Sequence, residues 1–159
     1  MTFPNLITDR TAEDVQYVSA LAAKIKANTA TEAEQEEWNG AALKGSYCYT
    51  DLNRVGSAMS YLAGLLRDAG YKVSVTPKTD WQENEWLTPE TAAQYLADVA
   101  ELRKQFALYA TTPAVPDGMV DFGYAQANDI ERILTDINTL LENALAQVIY
   151  CGEVYAGEV

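Results

Sequence analysis

The sequence predicts a mainly α-helical fold, a bundle of about four long helices with one short helix, and three observations carry that reading. Helix-start signals recur along the chain, at Thr11 with Asp14, Thr31 with Glu34, and Thr88 with Pro89. Apolar residues follow those starts at spacings of three and four, the mark of one buried helix face. Only one segment, 71–76, alternates in the manner of a strand.

The elements follow in order. Thr11 and Asp14 form a capping-box pattern that opens a helix over about 11–27, along which Val15, Val18, Ala22 and Ile25 share a face. Thr31 and Glu34 open a short helix over about 32–40 that carries Glu36, Glu37 and Trp38, and Gly40 and Gly45 bracket its end. Thr50 is the expected cap of the next long helix, about 51–69, in which Leu52, Val55, Met59, Leu62 and Leu66 make a sustained core stripe. Gly70 stands where a left-handed C-terminal cap is expected. A second face of that helix, Gly56, Ser60 and Gly64, is made of small residues, which predicts close approach by another helix.

In 71–76, Tyr71, Val73 and Val75 alternate with Lys72, Ser74 and Thr76, which predicts a minor β element ended by Pro77. The C-terminal tail is its candidate partner. Thr88-Pro89 opens a helix expected over about 89–109, with Ala92, Tyr95, Val99, Leu102, Phe106 and Tyr109 on one face. The connection TTPAVPDGM follows. The last helix is expected over about 124–149 and carries Ile130, Leu134, Ile137, Leu141, Ala144 and Val148, widened by Ile133, Leu140 and Leu145. The helices at 11–27, 51–69 and 124–149 are expected to form the bundle, with the 89–109 helix as the fourth. The pentapeptide pattern YxGEV then occurs twice, from Tyr150 and from Tyr155. It reads either as a tail packed on the bundle or as an exposed strand that pairs with a partner.

Composition narrows the function. The chain has 159 residues, 11 Lys and Arg against 23 Asp and Glu, and a net charge of −12. That length suits one domain over 1–159. So acidic a chain is a poor candidate for gripping nucleic-acid phosphates or an anionic membrane. The absence of His removes the Ser-His-Asp and Cys-His nucleophiles and His-ligated zinc. No phosphate loop and no calcium loop is present. The expectation is a non-catalytic protein without cofactor or metal. The start, MTFPNLITDR, has no signal-peptide pattern, and no apolar run is long enough to span a membrane. Cys48 and Cys151 are the two cysteines, expected as thiols in a reducing compartment, with one long-range disulfide as the alternative.

Some residues could still carry function. Asp80, Glu83 and Glu85 lie beside Trp81 and Trp86, a mixture suited to a glycan-binding surface or, with two carboxylates at the right separation, to glycosidic hydrolysis. The alternative is a solvated loop whose tryptophans cover one end of the bundle. Glu32, Glu34, Glu36 and Glu37 are a solvated helix face or a strip of charge that imitates a nucleic-acid backbone. Ten tyrosines exceed what core filling needs, and tyrosine is favoured at protein interfaces. The candidate interface residues are Tyr71, Trp81, Trp86, Tyr150 and Tyr155.

The ordered motifs LITDRT, LKGSY, TDLNRVGSAMSYLAGLL, PKTDW, TTPAVPDGM, ANDIERIL and GEVYAGEV span Leu6 to Val159. Together they resemble a small domain family of prophages and phages of gut Firmicutes, found alone or within tail and minor structural proteins. The chain departs from that pattern at Cys48, at 147–149 and at Gly123. The resemblance implies a tail-associated structural or interaction module, located in the virion or in the host cytoplasm before assembly. It implies phage structural proteins or a second copy of the chain as partners. An acidic inhibitor of a host defence or nucleic-acid enzyme is the alternative, and a glycan-binding module the weaker one.

Overall fold

A computed structural model describes residues 2–40 and 43–147. It contains five helices: α1 (Ala12–Lys26), α2 (Glu32–Asn39), α3 (Tyr49–Asp68), α4 (Pro89–Arg103) and α5 (Tyr124–Ala146). Helices α3, α4 and α5 pack on one another pairwise and form the core, while α1 packs on α2. The bundle therefore centres on α3, α4 and α5, not on the first, third and fifth helices. The reason lies in the width of the apolar faces. In α1 only Leu21 is buried, and Val15 is exposed. In α3 and α5 the stripes Val55, Met59, Leu62, Leu66 and Ile130, Leu134, Ile137, Leu141 are all within 2% of full burial. Val99 and Leu102 of α4 close the core between them.

The expected helix starts are formed. Thr11 Oγ1 accepts from the Asp14 N–H at 3.2 Å and Asp14 Oδ2 accepts from the Thr11 N–H at 2.8 Å. Thr31 and Glu34 make the same reciprocal pair. Thr88 caps α4, with Pro89 at its first position. Two helices end in Schellman turns. Gly70 sits at φ 90°, with the Tyr71 N–H on the Leu66 carbonyl at 2.9 Å and the Gly70 N–H on the Arg67 carbonyl at 2.9 Å. Asn28, at φ 56°, does the same for α1 through Thr29 to Lys24 and Asn28 to Ile25. At α3 the cap is Cys48 and not Thr50: the helix begins at Tyr49, and Asp51 Oδ2 accepts from the Cys48 N–H at 2.9 Å.

The caps give the α1–α2 hairpin a pH response. The Asp14 carboxyl lies below its ordinary 3.8, chiefly through the Thr11 N–H, and that of Glu34 below 4.5, chiefly through Lys24 and then Thr31. A carboxylate lowered on folding stabilises the fold above its unfolded pKa and loses that effect as pH falls through the lowered folded value. Far-UV circular dichroism should therefore show helix lost on acidification below about pH 4. A helical signal unchanged from about pH 5 to about pH 2.5 would contradict this.

The segment 71–76 is extended but is not a strand, and no sheet occurs among the described residues. Alternation reported burial correctly, since Val73 and Val75 are each 8% exposed. It says nothing about who takes the backbone hydrogen bonds, and here side chains take them. Arg67 Nε donates to the Val73 carbonyl at 3.1 Å, and the Thr76 N–H donates to Asp98 at 3.2 Å. Further on, Asn53 bonds Trp81 in both directions, at 2.7 and 2.9 Å, as a strand neighbour would. The tail proposed as its partner lies in 148–159, outside the described residues.

The chain just beyond this segment, at Lys78 and Thr79, and not a helix, meets Gly56 on the small-residue face of α3. A Cβ on Gly56 would stand 2.2 Å from the Lys78 carbonyl oxygen, whereas one on Gly64 would have nothing within 4 Å. Helix α4 also stops earlier than expected, at Arg103. The chain turns back, and Arg103 Nε donates to the Pro113 carbonyl at 2.9 Å. Thr112 Oγ1 donates to Asp136 Oδ2 of α5 at 2.6 Å, which pins the proline-rich connection. Phe106 still packs on the core from beyond the helix end, against Tyr71. That is why the apolar spacing ran past the true terminus.

Candidate docking groove

The floor of the candidate site rests on a buried charge cluster. Arg10 is 3%, Asp51 4% and Glu131 0% exposed. Arg10 Nη2 lies 3.0 Å from Asp51 Oδ1 and 2.8 Å from Glu131 Oε1. Arg54 Nη2 reaches the same two oxygens at 2.6 and 3.0 Å. The two guanidinium and two carboxylate charges cancel. Burial by itself would lower the Arg54 pKa, yet its hydrogen bonds to Glu131 and Asp51 carry it above the usual value. Glu131 also accepts from the Ile7 N–H at 2.6 Å, and Asn128 clasps the Arg10 backbone at 3.0 and 2.9 Å. The cluster thus ties the N-terminal segment to α3 and α5. The motifs LITDRT, LKGSY, TDLNRVGSAMSYLAGLL and ANDIERIL each contribute to it, through Arg10, Tyr47, Asp51 with Arg54, and Asn128 with Glu131.

Tyr47 carries this support outward. Its ring lies 5.3 Å from the Arg10 guanidinium carbon and 5.0 Å from the Phe122 ring, and its hydroxyl lies 2.5 Å from that of Tyr95. Burial pushes both phenols above their ordinary pKa, so both stay neutral.

Above Tyr47 run two apolar depressions of about 760 Å³ and about 380 Å³, which share Tyr47, Leu52 and Leu87. The first reaches Leu96, Met119, Val120 and Phe122, the second Val18, Trp38 and Trp86. Trp86 is 85% and Val120 89% exposed. Local structure sets both outward. On one side the Glu85 N–H donates to the Gln82 carbonyl at 3.0 Å, and Glu85 is held by Lys78 at 2.7 Å. On the other, Asp121 adopts a left-handed φ of 60° just after Val120. The only charged side chains lining the two depressions are Asp117, Glu83 and Glu85.

Of the expected interface residues that are described, Trp86 alone lines this groove. Trp81 is buried at 5% exposure, which corrects its reading as a surface residue, and it lies under Lys78, whose Nζ is 4.5 Å from its ring centre. Trp81 and Trp86 therefore do not form a joint cleft. Tyr71 is 40% exposed and packs on Phe106 away from the groove. Tyr150 and Tyr155 lie outside the described residues, as does Cys151. Cys48 Sγ is 3.0 Å from Thr50 Oγ1. In the α2 acidic strip, Glu34 is engaged by Lys24 and Glu37 by the Tyr17 hydroxyl at 2.6 Å. Sequence reasoning missed Met119, Val120 and Phe122; the signal available was apolar residues just past a proline-rich connection.

No helix among the described residues is long and apolar enough to cross a membrane, and none of their Cys, Asp and Glu side chains form a group of three that could hold a metal. Fold and surface define the class: a small, acidic helical-bundle protein with a three-helix core and an apolar groove beside it. Comparison with family models, with curated proteins and with solved structures finds no match for this chain.

Proposed function

We propose that the protein is a non-catalytic interaction module of a phage particle, and that its groove receives an apolar segment of a structural partner bearing Lys or Arg. The groove carries this reading: two large, highly exposed apolar side chains flank an apolar floor whose rim bears the carboxylates Asp117 and Glu83, the third, Glu85, being paired with Lys78. Exposed apolar area of that kind marks binding surfaces, and the rim chooses a cationic partner. The phage setting is supported by the motif resemblance. The inhibitor reading draws on the net charge of −12, but Glu34 and Glu37 of its most acidic strip are already engaged within the chain.

The test is quantitative mass spectrometry of gradient-purified particles carrying wild-type protein or Trp86→Ala. The wild type should appear at a fixed copy number and the variant should be depleted about tenfold or more, as for an anchoring aromatic. The variant should keep its stability within about 0.5 kcal/mol, because Trp86 is exposed. Absence of the wild type from particles would overturn the particle reading. Normal incorporation of Trp86→Ala would overturn the groove, and self-association lost in the variant would replace the basic partner by a second copy.

A further inference from the structure

A second concavity lies on the other side of α4 from the groove. It is a cavity of about 170 Å³ bounded by Met59, Pro77, Trp81, Tyr95, Gln94 and Asp98, with Thr76, Lys78 and Thr91 completing its wall. Its size is close to the roughly 150 Å³ of an apolar cavity that admits benzene, so one six-membered ring is the upper limit of what it holds. Asp98 sets it apart. Four carboxylates are buried among the described residues: Asp51, Asp98, Glu131 and Asp136. Asp51 and Glu131 face Arg10 and Arg54, and Asp136 faces Arg132 at 3.0 Å.

Asp98, 2% exposed, has hydrogen bonds from the Thr76 N–H and from Gln94 Nε2 at 2.8 Å but no Lys or Arg. Those bonds account for how it holds the extended segment. They supply hydrogen bonds but no opposite charge, and a cation is the partner the other three buried carboxylates each have. Lys78, the one cation among the described wall residues, lies over the Trp81 ring and is already paired with Glu85 at 2.7 and 2.9 Å. Beside Thr76, Pro77 and Thr91, the walls offer two aromatic rings and a thioether, surfaces that suit an alkylammonium group.

We propose that this cavity binds an organic ammonium ion no larger than one six-membered ring, with Asp98 as its counter-charge and Trp81, Tyr95 and Met59 as its walls. The ammonium can come from a free amine or from a lysine side chain of a partner, which share this chemistry.

Calorimetric titration of the full chain with cyclohexylammonium chloride tests it, with N-acetyl-lysine methylamide as the side-chain arm. Cyclohexanol and sodium chloride at matched ionic strength are the controls. Saturable binding of either ammonium, without binding of cyclohexanol, is the expected result; the arm that binds more tightly identifies the source. Asp98→Asn should weaken it roughly ten- to hundredfold, the size of a lost charge-assisted contact. Gln94→Lys, at an exposed position beside Asp98, should supply an internal cation and abolish binding without lowering the melting temperature. That variant keeps the test decisive if Asp98→Asn unfolds. Binding of cyclohexanol as tight as that of the ammonium, no binding of either ammonium, or full binding by Gln94→Lys would each overturn the proposal.

Discussion

Glu131→Ala should destabilise the fold by about 3–5 kcal/mol, the usual result of removing one partner from a buried charge cluster. Glu131 is fully buried and holds Arg10, Arg54 and the Ile7 amide. Its loss leaves Asp51 to face two guanidinium groups, one of them almost entirely out of water. For a chain of this size the midpoint of thermal unfolding should fall by roughly 10 °C. Amide exchange should quicken first at Ile7 and Arg10, whose N–H groups are held by α5 side chains. The cluster need not be stabilising relative to an apolar replacement. Accordingly Arg10→Met combined with Glu131→Leu should recover much of the loss, leaving the Asp51–Arg54 pair intact. Thermal melts of the two single variants and the double variant measure the coupling. A Glu131→Ala protein within about 1 kcal/mol of wild type would show that the cluster does not hold the N-terminal segment.

Two glycines of one helical stripe should respond to alanine with opposite signs. In a helix interior Gly→Ala ordinarily gains up to about 1 kcal/mol. At Gly64 nothing lies within 4 Å of the added Cβ, so that gain should appear in full. At Gly56 the Cβ would meet the Lys78 carbonyl oxygen at 2.2 Å and its carbon at 3.2 Å, both backbone atoms. The segment must then move away from α3, which strains the Asn53–Trp81 hydrogen bonds and opens the cover over Val75. Overpacking of this kind costs about 1–3 kcal/mol, more than the helical gain returns. Urea unfolding of the two variants decides the matter; two changes of the same sign would refute the assigned contact.

Both predictions depend on contacts between residues far apart in the chain, and that separates what was legible from what was not. Thr11 with Asp14, Thr31 with Glu34 and Thr88 with Pro89 could be read because a cap and its partner lie within three residues. The stripes of α3 and α5 could be read because burial repeats with the helical period. The docking groove was legible only through Trp86. Val120 and Phe122 belong to no periodic element, and what separates Trp81 from Trp86 is tertiary: Asn53 holds the Trp81 backbone and Lys78 lies over its ring.

Local chemistry in the sequence by itself determined the number of helices, the starts of α1, α2, α4 and α5, the left-handed turn at Gly70, the acidic charge and the apolar face of each core helix. Those features are set within a few residues, or by a period a single helix imposes on itself. Tertiary structure alone decided that α4 joins α3 and α5 in the core while α1 stands outside with α2. It decided that an extended segment takes its hydrogen bonds from Arg67, Asp98 and Asn53 instead of a strand. It decided, too, that Arg10 meets Glu131 across 121 positions, while Asp98 is buried without a cation. A sequence states which groups carry charge or hydrogen-bonding capacity. Which of them satisfy one another depends on burial, because only where water is excluded must each charge and each amide find its partner within the protein.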